Sequence, residues 1–171
     1  MKNKVAIIIP VFNTEQYLNE CLNSVCNQTM QELEILCVYT ESKDKSLEIL
    51  QKFEKKDNRV RIIRRDDGGL GGARNEGLKH VNSNYVFFLD SDDFIAKNAI
   101  EELYNKATEE NSDMVIFPFY SYNETTKKVE KNSWGNTLNF NKQLFNRTFN
   151  YFDIEPVSYT HLRAHETRGN L

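Results

Sequence analysis

Four polar clusters interrupt the apolar pattern of this sequence, and each carries residue types that can do chemistry. The sharpest is Phe87-Phe88-Leu89-Asp90-Ser91-Asp92-Asp93, an apolar run that ends in three carboxylates within four residues. Carboxylates this close repel one another, and a hard divalent cation relieves the repulsion by taking their oxygens. Mg2+ or Mn2+ held by one or two carboxylates commonly completes its shell with substrate phosphates. A solvated helix-capping turn is the plainer alternative, but capping needs one Asp and not three. The second cluster, residues 66–75, reads DDGGLGGARN. Its glycines permit close backbone approach, and Arg74 offers a planar donor for an anion. It is not a dinucleotide fingerprint: a GxGxxG begun at Gly69 would need glycine where Arg74 stands. Residues 10–14 (PVFNT) and 39–44 (YTESKD) complete the set.

The elements that must position these clusters alternate in type. Residues 5–9 form a continuous β-branched run, which predicts a strand buried on both faces. Asn13 or Thr14 can cap a following helix whose apolar face is Tyr17, Leu18, Cys21, Leu22, Val25 and Cys26. A second strand is predicted over 33–39. Ser42 or Asp44 can cap a second helix carrying Leu47, Leu50 and Phe53. Further strands are predicted at 60–63, 85–89 and 114–120, with helices at 70–80 and 98–110, and a polar hairpin or excursion over 121–134. The class is α/β with a mainly parallel, doubly wound sheet. Ligands of such sheets bind outside the carboxyl ends of the strands, where three clusters fall; the fourth follows the third strand.

Composition narrows the field. The 171 residues suffice for one domain or most of one, with 39% hydrophobic and 27% charged, so the chain is neither disordered nor a membrane span. Lys+Arg of 22 against Asp+Glu of 25 leaves −3, with no basic surface for nucleic acid. Cys21, Cys26 and Cys37 lack CxxC spacing and read as buried thiols of a reducing compartment. The apolar run after Lys4 is too short for a signal sequence.

Residues 5–14 (VAIIIPVFNT), 17–29, 68–78 (GGLGGARNEGL) and 85–95 (YVFFLDSDDFI) resemble the family 2 glycosyltransferases, inverting enzymes of the GT-A fold. The resemblance covers about residues 4–116. It implies that Pro10, Val11 and Asn13 belong to a donor loop against the nucleobase and ribose, with Gly69 and Arg74 near the nucleotide. It makes Asp90, Ser91 and Asp92 the DXD motif and places Asp92 and Asp93 nearest the ribose and the metal-bridged diphosphate, with Mn2+ or Mg2+ as cofactor. The implied activity is transfer of a sugar from a nucleotide donor, a UDP-sugar, to a hydroxyl of a glycan or lipid-linked acceptor in cell-surface polysaccharide synthesis. The setting would be the cytoplasm, at the inner face of the membrane, with peripheral membrane association only through a part beyond residue 155.

Two features depart from the family pattern. After the second strand the family reads D/N-D-G-S-T-D, whereas here Thr40 stands where the second acidic residue is expected, with Glu41 one position on. Nucleotide recognition is thereby altered or weakened. The catalytic base, a carboxylate that takes the acceptor's proton, falls in the family past the fifth strand, and Glu124, Glu130, Asp153 and Glu155 sit in no recognisable base motif. The base is expected beyond residue 155, which leaves this chain inactive in transfer. Two other readings stay open: a non-catalytic sugar-nucleotide-binding module, and a sugar-nucleotide nucleotidyltransferase. The latter wants a Gly-rich, basic loop straight after the first strand, which PVFNT is not.

From Val157 the chain reads VSYTHLRAHET, which resembles one reading frame of a transposon-type sequencing-library adapter. The expected division is therefore a nucleotide-sugar-binding domain over 1–155, incomplete at its C-terminus, and an artefactual tail over 156–171. His161 and His165 in that tail mimic a metal pair, but a zincin needs Glu directly after the first His and Leu162 is there.

Overall fold

The computed structural model describes residues 3–66, 69–117, 119–123, 126 and 128–132. The chain divides into two compact units after Thr108. In the first, β1 (Val5–Val11), α1 (Glu15–Cys26), β2 (Leu33–Thr40), α2 (Ser46–Lys56), β3 (Val60–Arg65), α3 (Gly69–Lys79), β4 (Tyr85–Phe88) and α4 (Ala99–Glu109) follow one another. The strands form one parallel sheet in the order β3-β2-β1-β4.

β1 is buried along its whole length, and β2 everywhere but Thr40. Strand periodicity sorts their side chains by face. Val5, Ile7, Ile9 and Val11 pack with Leu18, Leu22 and Val25 of α1, Leu50 of α2 and Ile100 of α4. Ile8, Leu36, Val38 and Ile63 pack on the other face with Ala73 of α3. Helices therefore cover both faces, the doubly wound architecture expected from the alternating pattern.

On the α3 side the backbones meet closely. A Cβ added to Gly77 would lie 2.6 Å from Ile8 Cγ2, so only glycine lets the helix sit this near β1. Gly77→Ala is expected to lower stability by about 1–3 kcal/mol through overpacking, partly offset by the roughly 1 kcal/mol of helix propensity that Ala gains. Urea denaturation measures it. An unchanged or raised midpoint would show that α3 shifts outward at no cost.

Proline is rare in central strands because it cannot donate to the ladder, yet Pro10 lies within β1 and is buried. Leu89 N–H donates to Ile8 carbonyl (3.1 Å), so Ile8 bonds toward β4. Pro10, two residues on, faces the same side, where the β1–β4 pairing has already ended at Ile8–Phe88. Pro10 and Val11 are thus strand residues, not the loop residues expected from the resemblance.

The second unit corrects another expectation. No strand covers 114–117; β5 is Phe119–Asn123, and it pairs antiparallel with β6 (Lys128–Asn132), not with the parallel sheet. Met114, Ile116 and Phe117 are exposed. An apolar run marks burial potential but does not choose a pairing partner, and Pro118 has no N–H to give a ladder. The division at residue 155 and the adapter-like tail lie outside the described residues. Among the described residues no helix is long and apolar enough to cross a membrane.

Candidate functional site

The carboxyl ends of three neighbouring strands make one rim. Thr40 ends β2, Val11 ends β1 opposite Tyr39, and β4 runs out through Leu89 to Asp90. With strands about 4.8 Å apart, Thr40, Val11 and Asp90 fall along the same edge.

The β1–α1 and β2–α2 loops on this rim are laced together. Asn13 N–H donates to Ser42 Oγ (3.0 Å), Lys43 N–H to Asn13 Oδ1 (3.3 Å), Thr14 N–H to Ser46 Oγ (3.2 Å) and Lys45 N–H to Glu15 Oε2 (2.6 Å). Asn13 adopts φ 52°, a left-handed conformation that Asn tolerates better than most residues. The turn after β2 is closed by Ser42, whose N–H donates to Tyr39 Oη (2.9 Å) and whose hydroxyl donates to Thr40 carbonyl (3.0 Å). Thr40 is left half-buried and Glu41 exposed.

Asp44 is the hub of this lacing. Its Oδ2 accepts Glu15 N–H (2.9 Å) and the Ser46 hydroxyl (2.8 Å), while Oδ1 accepts Ser46 N–H (3.0 Å). Glu15 and Ser46 open α1 and α2, so one carboxylate caps two helices. Thr14, one of the two residues expected to cap α1, makes no side-chain cap bond because the neighbouring loop supplies the acceptor. Burial opposes the ionisation of Asp44, but the bonds from Glu15 and Ser46 outweigh it and hold the carboxyl below its ordinary 3.8. A lowered carboxyl contributes stability that is complete above the ordinary value and lost as pH falls through the folded one. Asp44→Ala is therefore expected to cost about 1–2 kcal/mol at pH 7, with the difference from the unsubstituted chain shrinking below about pH 4. Thermal melts across pH check this, and a difference independent of pH would refute it.

On the other side of the rim, Arg74 Nη2 donates to Asp90 Oδ1 (2.6 Å) and its guanidinium lies 5.8 Å from the centroid of the Phe88 ring. Arg74 Nε and Thr14 Oγ1 are buried with no hydrogen-bond partner in the described structure. Gly69 opens α3 at φ +60°, a conformation that strains any L side chain. A Cβ on Gly72 would lie 2.7 Å from Arg65 Cζ, so the Arg65 guanidinium lies flush on the first turn of α3.

The carboxylate turn is closed by Asp93 N–H donating to Asp90 carbonyl (3.0 Å). Ser91 is buried, whereas Asp92 and Asp93 are exposed. Partial desolvation first, then the facing carboxylates of Asp92 and Asp90, raise the Asp93 carboxyl above its ordinary value. The same field reaches α1: burial and then Asp93, Asp92 and Asp90 push the Cys21 thiol up to about 12, leaving it protonated, 3.7 Å from Asp90 carbonyl. All three cysteines are free. Among the described residues no three His, Cys, Asp or Glu groups converge as a metal cage. Two exposed, mutually repelling carboxylates fit a cation whose remaining ligands come from a substrate.

Comparison with known proteins shows which family the chain belongs to. The profile of glycosyl transferase family 2 matches residues 6–165, past the motifs and into the adapter-like stretch. The chain belongs to glycosyl transferase family 2. This family 2 domain is 42% identical over 123 residues to glycosyltransferase GlyA of Streptococcus pneumoniae, across 72% of this chain and 18% of that protein. It is 42% identical over 117 residues to the poly(ribitol-phosphate) beta-glucosyltransferase of Bacillus spizizenii, across 66% of this chain and 18% of that one. The crystal structure of S. aureus TarS 1-349 in complex with UDP-GlcNAc superposes with a TM-score of 0.61 at 34% identity, covering 64% of this chain and 32% of that one. The match thus spans about a fifth of the length of these two relatives and about a third of the TarS 1-349 chain, and the sheet and helices of this domain are those of GT-A glycosyltransferases.

The structure brings Arg74 onto Asp90, ties Asn13 to the β2–α2 loop, and sets Thr40 and Val11 on neighbouring strand ends. It does not join Glu41 to any of them by a hydrogen bond or ion pair among the described contacts. Two rim residues escaped the sequence reading. Phe12 is 57% exposed at the end of β1, and an aromatic between Val11 and Asn13 was the available signal. Arg65 pairs in register with Thr40, a neighbour that only the β2–β3 register reveals.

Proposed function

We propose that this rim binds the nucleoside diphosphate of a sugar-nucleotide donor, a UDP-sugar, in an inverting, hexosyl-transferring enzyme of cell-surface polysaccharide synthesis. The observation that carries this is the carboxylate turn beside the Arg74–Asp90 pair, on a strand-end rim that also presents an aromatic face. Asp92 and Asp93 would hold Mn2+ or Mg2+. A cation bound there would neutralise charge developing on the departing diphosphate. Phe12 offers a face for a nucleobase, Pro10 and Val11 floor the rim as buried strand residues, and Asn13 keeps the loop in its laced form. Gly69 allows close approach at the start of α3. Arg74 orients Asp90 and has guanidinium capacity in reserve, and Ser91 is the buried member of the carboxylate turn.

Thr40 presents a neutral hydroxyl beside Arg65 in place of a carboxylate, with Glu41 exposed next to it. This makes base recognition at that position less dependent on an acidic group. The acceptor is proposed to be a hydroxyl of a glycan or lipid-linked chain, in keeping with a relative named for poly(ribitol-phosphate), and the reaction to take place in the cytoplasm at the inner membrane face. Equilibrium binding of UDP with and without Mn2+ tests the reading. Tighter binding with the cation is expected, and equal affinity would overturn the cation assignment.

A further inference from the structure

Residues 94–98, which follow the carboxylate turn, belong to no helix or strand. Backbone groups outside regular elements bond to water or to side chains, and here one stripe of α1 and the residues just after it supply partners for several of them. Cys21, Ser24 and Gln28 stand at i, i+3 and i+7. Cys21 Sγ lies 3.7 Å from Asp90 carbonyl, Ser24 Oγ accepts Ile95 N–H (3.2 Å), and Gln28 Nε2 donates to Ala96 carbonyl (2.7 Å). Gln28 Oε1 accepts Ile100 N–H (3.0 Å) at the start of α4, and Nε2 also donates to Ser24 carbonyl (3.0 Å). Thr29 extends the contact, its N–H donating to Lys97 carbonyl (2.9 Å). Gln28 is 1% exposed. Its side chain uses both amide hydrogens and its oxygen on three different backbone groups: Ala96 lies on the segment that leaves the carboxylate turn, and Ile100 in the first turn of the helix that segment enters.

We propose that Gln28 is a positioning residue for the cation carboxylates: it anchors the chain after Asp93 to α1 and so holds Asp92 and Asp93 in the arrangement that takes a cation. The proposal rests on the reading of the rim as a cation-assisted nucleotide site. Gln28 touches neither carboxylate. Its action passes through Ala96 and the first turn of α4, as an outer partner orients metal ligands. Ser24, holding Ile95, acts in the same sense on a nearer residue with a single bond.

A merely structural role would reduce the folded fraction and lower UDP binding with and without Mn2+ alike. An anchoring role lowers only the gain that Mn2+ brings. The test is UDP titration of the full chain with and without Mn2+, together with hydrogen exchange, for the unsubstituted protein, Gln28→Leu and the milder Ser24→Ala. In Gln28→Leu the apparent Mn2+ affinity is expected to fall about 10–100-fold, as for loss of an outer partner of metal ligands. UDP binding without metal is expected to be unchanged, and exchange to quicken at 95–100 but not in β1 or β2. Ser24→Ala is expected to move the same readouts in the same direction by less, and it serves alone where Gln28→Leu does not fold. Unchanged Mn2+ affinity in a folded variant overturns the anchoring role while leaving the site reading intact. Absence of any Mn2+ effect on the unsubstituted chain overturns both.

Discussion

Asp92→Asn combined with Asp93→Asn is expected to make UDP affinity the same with and without Mn2+ while leaving the fold intact. Both side chains are exposed on a turn closed by backbone, so their amides fit the same space. Neither carboxylate makes a hydrogen bond or ion pair among the described contacts that the substitution would break. The raised Asp93 carboxyl shows that its charge is opposed by its surroundings, chiefly desolvation and then Asp92 and Asp90, so neutralisation does not cost stability. The double change removes ligands themselves, so the loss of Mn2+ affinity should exceed the roughly 10–100-fold typical of outer partners. Calorimetric titration of UDP against variant and parent, with a thermal melt of each, makes the measurement. A Mn2+-dependent gain surviving in the folded double variant would place the cation elsewhere, and a collapse of the melt would show that the turn carries stability.

The second large effect concerns turnover. The 171-residue chain, given UDP-glucose and other donors with Mn2+ and mixed acceptors, is expected to form no transfer product at ordinary enzyme rates. The rim's carboxylates are committed: Asp44 caps two helices, Asp90 pairs with Arg74, and Asp92 and Asp93 are assigned to the cation. Among the described residues of the rim, Glu41 has no such partner, but it is exposed on the loop after β2, where the resemblance puts nucleotide recognition and not a base. General-base assistance is worth about 10²–10⁴ in rate, and positioning of the acceptor contributes comparably or more. A bound donor would at most hydrolyse slowly to water. Transfer at about 1 s⁻¹ or faster would show that the base lies within these residues. Binding without turnover in a version extended to the length of its relatives would favour the non-catalytic module instead.

Much of this molecule is legible in its sequence. The continuous apolar run at 5–9 determined a strand buried on both faces, the largely apolar stretch 33–39 a second strand, and the helical spacing of Leu18, Cys21, Leu22 and Val25 the face of α1, because burial leaves a period in the sequence. The carboxylates at the end of β4 and the glycines before Arg74 were visible as candidate chemistry, because charge density and backbone freedom depend on residue type alone. Partners distant in sequence were not. That Asp44 caps α1 as well as α2, that Arg74 reaches Asp90, that Arg65 stands beside Thr40 and that Gln28 holds Ala96 and Ile100 are facts of register and crossover, which bring together residues separated by 16 to 72 positions. The 114–120 run shows the same limit from the other side, since its apolar pattern states that burial is favourable but not against what. Periodicity and composition are properties of neighbours along the chain, whereas a site is assembled from neighbours across it.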